Sequence, residues 1–203
     1  MSAELRRVFE FMIELDKLKA VLRRTKPVGL ERYENSAEHS WQIALLALFL
    51  VEHARVPIDR LRVVEILLVH DIPEIDAGDQ IVYEGRSDAR HAAELQAARR
   101  IFGLLPEPHA AWCLERWMEY EARETNEAHF AYAVDRLMPL LQNLANDGQS
   151  WRENGVSLEK VLGVNAVMGD LLPSVWDQVR ERLGEASALG FFGEPKSDAP
   201  ESS

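Results

Sequence analysis

The sequence contains almost no cysteine and no long apolar run. Its 203 residues include one cysteine, Cys113, which can form no internal disulfide and cannot supply a thiolate cluster for zinc. A reducing cytoplasm is therefore the expected compartment. No apolar run reaches the length of about 18 residues that a membrane-spanning helix needs. The amphipathic N-terminus also lacks the apolar segment of a signal peptide. We expect no membrane partner.

Positive charge is also scarce. Asp and Glu number 34 against 23 Lys and Arg, which gives a net charge of −11. Affinity for a phosphate backbone comes from clustered Lys and Arg, so this balance argues against a nucleic acid polymer as partner. A small anionic substrate stays compatible with it, provided that a local arginine and a metal outweigh the overall sign.

The residues that are present indicate a single all-α domain. The chain is 47% hydrophobic and 28% charged, as ordinary globular proteins are, and apolar residues recur at helical spacing without strand-like alternation. We expect a compact helical bundle over residues 1–185 and a C-terminal tail over 186–203, which is predicted to be disordered because its periodicity is lost. Helices are predicted over about 4–23, from Asn35 or Ser36 to about 51, from Asp59 to His70-Asp71, over about 88–102, 111–121, 125–145 and 165–184, with a polar loop over 146–157 and a bend at Pro173.

The most informative stretch joins a buried helix to an acidic loop. The apolar run 63–68 leads directly to His70-Asp71, and Pro73 disfavours continuation of the helix. Asp is almost never fully buried without a partner. The pair therefore offers two candidate metal ligands, followed by Glu74 and Asp79. The alternative is a solvated helix end that carries a few charges.

Two further residues are unusual for their positions. His39 lies on the first turn of a helix that is apolar nearly all round, where a histidine is more often only a polar terminus. Asp135 lies in mid-helix with Ala131 and Met138 as neighbours on the same face. Its carboxylate needs a metal, an ion pair with another helix or a set of donors. Arg136 points about 100° away and is not the obvious partner.

One divalent cation would account for His39, His70, Asp71 and Asp135 together. Mixed nitrogen and oxygen ligands suit Mn, Co, Fe, Ni or Zn, and the lack of cysteine argues against a structural zinc site. Four protein ligands on an octahedral ion leave positions open for water and substrate. That arrangement is the condition for metal-assisted hydrolysis.

The order of these residues resembles that of the HD-domain metal-dependent phosphohydrolases. The segments that carry the resemblance to their 5'-deoxynucleotidase branch are Arg24-Thr25, Ser36–Trp41, His70–Glu74, Gly78-Asp79, Glu119–Glu121 and Asp135. They fall within about residues 5–145. The resemblance implies an HD-domain helical bundle, often a homodimer, which hydrolyses deoxynucleoside 5'-monophosphates with one divalent cation. Cobalt and manganese are the metals most often associated with that activity, and Mg is a further possibility.

Roles follow from the resemblance residue by residue. His39, His70, Asp71 and Asp135 are expected as the metal ligands, and Glu74 as the group that orients or activates the attacking water. Arg24 is expected to bind the substrate phosphate, for which its forked guanidinium is suited, and Asp79 to accept from the sugar hydroxyl. Thr25 stands where some members have a bulky aromatic residue, so selectivity for the 2'-deoxy sugar is not predicted.

Two alternatives stay open at this point. Another HD chemistry, acting on nucleoside triphosphates, alarmones or cyclic nucleotides, is the first, and its two-metal forms generally need extra histidines. His91 lies on a polar helix segment and His109 stands beside two prolines, so one metal is favoured. The second alternative is a non-catalytic HD scaffold; such proteins commonly lose the water-activating acid, whereas Glu74 is present here.

Overall fold

The structure, a computed structural model, describes residues 2–85 and 87–193. The described part is helical, and its only strand-like pairing is an isolated antiparallel bridge between Leu22 and Asn35. The prediction of an all-α fold is confirmed. The α-helices in chain order are α1 (Ala3–Leu15), α2 (Ser36–Leu50), α3 (Arg60–Val69), α4 (Glu74–Ala77), α5 (Asp88–Phe102), α6 (His109–Ala122), α7 (Asn126–Ala145), α8 (Gln149–Glu153), α9 (Leu158–Asn165), α10 (Met168–Leu171) and α11 (Pro173–Ala188).

Local capping fixes where the site-bearing helices begin. The Asn35 side chain accepts a hydrogen bond from the Glu38 amide, and the Glu38 carboxylate accepts one from the Asn35 amide. This capping box satisfies amide groups that the first turn of α2 would otherwise leave unpaired. Asp59 caps α3, which has its last helical residue at Val69, so that His70 is the C-terminal cap residue.

Helix α7 forms the centre of the bundle. It packs against α2, α3 and α6, and its residues Phe130, Val134 and Leu140 are almost completely buried. Burying such side chains is the main favourable contribution to folding. The cluster around α7 also holds Leu67 of α3. In the described part of the chain, none of the helices has the length and apolarity needed to cross a membrane.

A second hydrophobic cluster lies between α1, α5 and α6. It contains Phe11, Ile101 and Trp117, together with Val69 from the end of α3. Leu67 therefore belongs to one cluster and Val69 to the other. Consequently, α3 delivers His70 and Asp71 to the boundary between the two clusters, where polar side chains from several helices can meet.

Three sequence-based boundaries are wrong. The first α-helix ends at Leu15 and continues only as a 3-10 helix over Asp16–Ala20, short of residue 23. The predicted loop 146–157 contains α8. The predicted helix over 165–184 is divided among α9, α10 and α11, and Pro173 begins α11 instead of bending a longer helix, because a missing amide N–H costs nothing at a first helical position.

The predicted start of the tail at residue 186 is too early. Helix α11 continues to Ala188, Ala186 is buried, and the Phe192 ring stacks on Trp151 with ring centroids 4.7 Å apart. Residues 186–193 are therefore part of the packed domain. The remainder of the predicted tail, 194–203, lies outside the described residues.

Candidate metal centre

Helices α2, α3 and α7 bring three of the predicted ligands together. One side-chain atom from each of His39, His70 and Asp135 lies within 4.8 Å of the other two. His39 Nε2 is 2.8 Å from Asp135 Oδ1, and His70 Nε2 is 3.9 Å from the same oxygen. His39 is completely buried. Residues 96 apart in sequence thus form one compact group of nitrogen and oxygen donors.

Asp71 adjoins this group and also contacts a cation. Its Oδ1 lies 2.9 Å from His70 Nε2, and its Oδ2 accepts a hydrogen bond of 3.2 Å from Arg23 Nη1. One carboxylate oxygen therefore faces the predicted metal position. The other is held by a guanidinium.

The hydrogen bonds of the His70 imidazole fit a cation. His70 Nδ1 lies 2.9 Å from the Leu67 carbonyl oxygen, and as the donor there it leaves the lone pair on Nε2. Nε2 is buried without a hydrogen-bond partner, since its contact with Asp71 lacks hydrogen-bond geometry. A lone pair facing two carboxylates is unfavourable unless a proton or a cation lies between them. Orientation of a ligating histidine by a backbone carbonyl is common at metal sites.

Asp135 is stabilised by donors and not by an ion pair with arginine or lysine. Its Oδ2 accepts a hydrogen bond of 2.7 Å from the Tyr120 hydroxyl, and its Oδ1 faces the two imidazoles. Among the described residues, no Lys or Arg pairs with it. Tyr120 therefore fixes the orientation of this carboxylate, a role that sequence reasoning missed because a Tyr on a helix is most simply a core residue.

The protonation equilibria show how strongly these groups interact. Burial alone would lower the pKa of His70, but its interactions with the carboxylates of Asp71 and Asp135 raise it to about 10. Burial would raise the pKa of Asp135, but its interactions with His39 and His70 hold that pKa well below its usual range. In the absence of a metal, a bound proton supplies the positive charge between these side chains.

Glu74 and Asp79 stand beside the ligand group as buried acids. The Ser36 hydroxyl donates a 2.6 Å hydrogen bond to Glu74 Oε2. Burial and then the charges of Asp71 and Asp79 raise the pKa of Glu74 well above its usual range. Burial, with a smaller contribution from Asp71, also raises the pKa of Asp79. A carboxylate whose pKa is raised is a stronger base than an ordinary carboxylate.

The structure places Arg23, and not Arg24, deepest in the site. Arg23 Nη1 lies 3.2 Å from Asp71 and 3.5 Å from Asp79, with 14% of the side chain exposed. Arg24 is exposed and lies on the wall of an adjoining cavity. The two differ because residues 21–25 pair with residues 34–36 through backbone hydrogen bonds, and successive residues of an extended segment point to opposite sides.

Glu34 is a second residue of the site that sequence reasoning missed. It is 1% exposed and accepts a 2.5 Å hydrogen bond from Gln142 Nε2. Its other oxygen lies 3.6 Å from His39 Nδ1 and 3.5 Å from Arg23 Nε. Glu34 thus links the imidazole of one predicted ligand to the buried arginine.

Two cavities meet at the ligand group. The first, of about 310 Å³, is lined by His70, Tyr120 and other side chains. The second, of about 160 Å³, is lined by Arg24, Asp79 and Asp135 among others. The lining residues shared by both are Asp71, Glu74, Gln80, Ile81, Val82 and Arg136. A ligand bound at this junction can therefore extend in two directions from the metal position.

A second group of potential ligands lies along α5 and α6. Donor atoms of His91, Glu94 and Glu121 also lie within 4.8 Å of one another, and the His91 ring stacks on Trp117. His91 is thus less isolated than its polar helix segment suggests. Arg90 Nε already donates a 2.6 Å hydrogen bond to Glu94, so this group has a source of positive charge within the protein.

The structure is thus an all-α bundle in which His39, His70 and Asp135 form a candidate metal centre, with Asp71 beside them. A family model described as "HD domain" matches residues 15–176. The chain therefore belongs to the HD-domain family.

Curated relatives with similar sequences share a name. The chain is 29% identical over 140 residues to the 5'-deoxynucleotidase HDDC2 of Homo sapiens, and this alignment covers 64% of this chain and 66% of that protein. It is 30% identical over 118 residues to the Mus musculus protein of the same name, with 56% of each chain covered. The chain thus matches two thirds or less of the length of these relatives.

Solved structures with the same fold include a predicted metal-dependent phosphohydrolase from Magnetospirillum magnetotacticum. That structure superposes with a TM-score of 0.88 at 41% identity, covering 95% of this chain and 100% of the other. A conserved hypothetical protein from Pyrococcus furiosus matches with a TM-score of 0.65 at 20% identity, covering 85% and 99% of the two chains. At that identity the second likeness concerns the fold alone.

Proposed function

We propose that this chain is a metal-dependent 5'-deoxynucleotidase, which hydrolyses deoxynucleoside 5'-monophosphates to nucleoside and phosphate. The observation that carries the proposal is the group of His39, His70 and Asp135 at the junction of two cavities, with the protonatable Glu74 beside it. The names of the curated relatives support the choice of substrate.

His39, His70, Asp71 and Asp135 are proposed to hold one divalent cation. Two imidazole nitrogens and two carboxylate oxygens suit cobalt or manganese, and Fe, Ni, Zn or Mg are alternatives. When bound, the ion supplies Lewis-acid stabilisation of the phosphoryl oxygens. Tyr120 and the Leu67 carbonyl orient Asp135 and His70 for this purpose.

Glu74 is proposed to take a proton from the water that attacks phosphorus. Its carboxylate lines both cavities and is held by the Ser36 hydroxyl, so its position is fixed before substrate binds. A positioned general base contributes about 10²–10⁴-fold to the rate. Positive charge at the metal position would lower the pKa of Glu74 and favour the carboxylate form needed to accept the proton.

Arg24 and Asp79 are proposed to contact the substrate from the second cavity. Both line that cavity, where Arg24 can donate to phosphate oxygens and Asp79 can accept from a sugar hydroxyl. Arg23 already forms ion pairs with Asp71 and Asp79. We infer that it holds the two acids in place instead of binding substrate.

Phosphate release tests the function directly. Purified protein is chelated, each candidate metal is added back, and ribo- and deoxynucleoside mono- and triphosphates are compared as substrates. We expect metal-dependent phosphate release that is fastest from deoxynucleoside 5'-monophosphates. Release from triphosphates alone, or at the same rate without added metal, would contradict the proposal.

A homodimer in the cytoplasm is proposed as the working state. Trp41, Leu45, Leu48 and Phe49 form an exposed apolar stripe along α2, which suits burial against a second copy. A single, buried thiol at Cys113 is compatible with a reducing compartment. Sedimentation of the wild type and of a Trp41→Glu variant tests the dimer, and a monomeric wild type would contradict it.

A further inference from the structure

Arg136 occupies the junction of the two cavities. It follows the predicted ligand Asp135 on α7, and its side chain lies about 100° further round the helix. Asp135 faces the imidazoles and Tyr120, whereas Arg136 lines both cavities. Within the described part of the chain, it is the only positively charged residue shared by the two linings.

The guanidinium of Arg136 has donors without acceptors. Its Nη2 donates a 2.6 Å hydrogen bond to the Tyr132 hydroxyl, but Nε and Nη1 are buried and have no hydrogen-bond partner. No carboxylate pairs with it among the described residues, in contrast with Arg23 and Arg116, which lie against acids. Buried charged donors without acceptors are costly, so this arrangement favours an external acceptor.

A second guanidinium increases the positive charge at this position. Arg123 lies over the Tyr132 ring with Cζ 4.1 Å from the centroid, and Arg136 lies over the same ring at 4.4 Å. Arg123 also lines the first cavity. The Tyr132 ring attracts both cations but carries no formal charge that could neutralise them. An anion at the junction would do so.

We propose that Arg136 binds the phosphate of the substrate at the junction of the two cavities, beside the cation. The inference rests on the proposed function for the identity of the substrate. Arg24 is exposed and lines the second cavity alone, so it contributes less to phosphate binding than Arg136. A guanidinium with two unused nitrogen donors matches the acceptor-only oxygens of a phosphate group.

The direct test is the binding of inorganic phosphate to manganese-loaded protein, measured by calorimetry. Arg136→Gln is expected to weaken phosphate binding about 10- to 100-fold, because it removes a charged donor from a buried site. Arg136→Lys keeps the charge without the planar donors. Its affinity for phosphate is expected to lie between those of the wild type and Arg136→Gln. Arg180→Gln removes the same charge from an exposed position and is expected to leave phosphate binding unchanged.

Kinetics and metal content complete the test. The Arg136→Gln variant should retain one manganese per chain and show a raised KM for a deoxynucleoside monophosphate, with a larger effect than Arg24→Gln. The inference would be overturned if folded, metal-loaded Arg136→Gln or Arg136→Lys protein bound phosphate as tightly as Arg180→Gln does.

The two proposals fail in different ways. Wild-type protein that binds phosphate through Arg136 but hydrolyses no nucleotide would support this inference and refute the proposed function. If the wild type and the Arg136→Gln variant hydrolyse nucleotides equally well, the proposed function is supported and this inference is refuted. Thermal unfolding of each variant shows whether a loss of binding reflects a loss of fold.

Discussion

Replacement of Tyr120 by Phe tests whether the hydrogen bond to Asp135 prepares this carboxylate for a metal. The tyrosine is buried, and its hydroxyl donates to Asp135 Oδ2 over 2.7 Å. Burial and then the negative charge of Asp135 raise the pKa of Tyr120 well above its usual range. The hydroxyl therefore stays protonated and acts as a donor throughout the neutral pH range.

The size of the effect follows from this contact. A hydrogen bond to a charged group contributes about 1.5–3 kcal/mol, which corresponds to about 10- to 100-fold in an equilibrium constant. Loss of a group that orients a metal ligand typically reduces affinity by the same factor. We therefore expect Tyr120→Phe to bind manganese or cobalt about 10- to 100-fold more weakly, with little change in packing.

Competition with a chelator measures this affinity. Tyr33→Phe is the matched control, because it removes a tyrosine hydroxyl that donates to a carboxylate, Glu153, away from the ligand group. Its metal affinity should equal that of the wild type. If Tyr120→Phe also bound metal as tightly as the wild type, Tyr120 would not position Asp135 and the reasoning would be refuted.

Three further predictions concern the reaction and its pH dependence. Glu74→Gln should retain metal but lose at least about 100-fold in kcat, and an active variant would exclude Glu74 as the base. Arg24→Gln should chiefly raise KM for phosphate-bearing substrates, and an unchanged KM would remove Arg24 from the site. In chelated protein, stability conferred by the raised pKa of His70 should be present below pH 6.5 and decline as the pH rises towards about 10. Melting temperatures should show that decline, whereas in metal-loaded protein it should be absent, because the metal displaces the proton.

Local sequence determined most of the helices that carry the site. The start of α2 at Asn35 or Ser36 and that of α3 at Asp59 were predicted from residue type and spacing, as were the bounds of α5, which the structure gives as Asp88–Phe102. Such signals act within one or two helical turns and do not depend on distant residues. The segment after residue 146 was less predictable, because its helices are short and are held by packing.

The suspicion of a common metal position also came from the sequence, because a buried acid in mid-helix and a His-Asp pair at a helix end both lack a simple structural role. Only the tertiary structure decided that Arg23 turns inward while Arg24 stays at the surface. It likewise revealed that Tyr120 holds Asp135 and that Arg136 faces two cavities with unused donors. These features depend on contacts between residues far apart in the chain, whose distances are set by how the helices pack and not by the spacing of residues along any one of them.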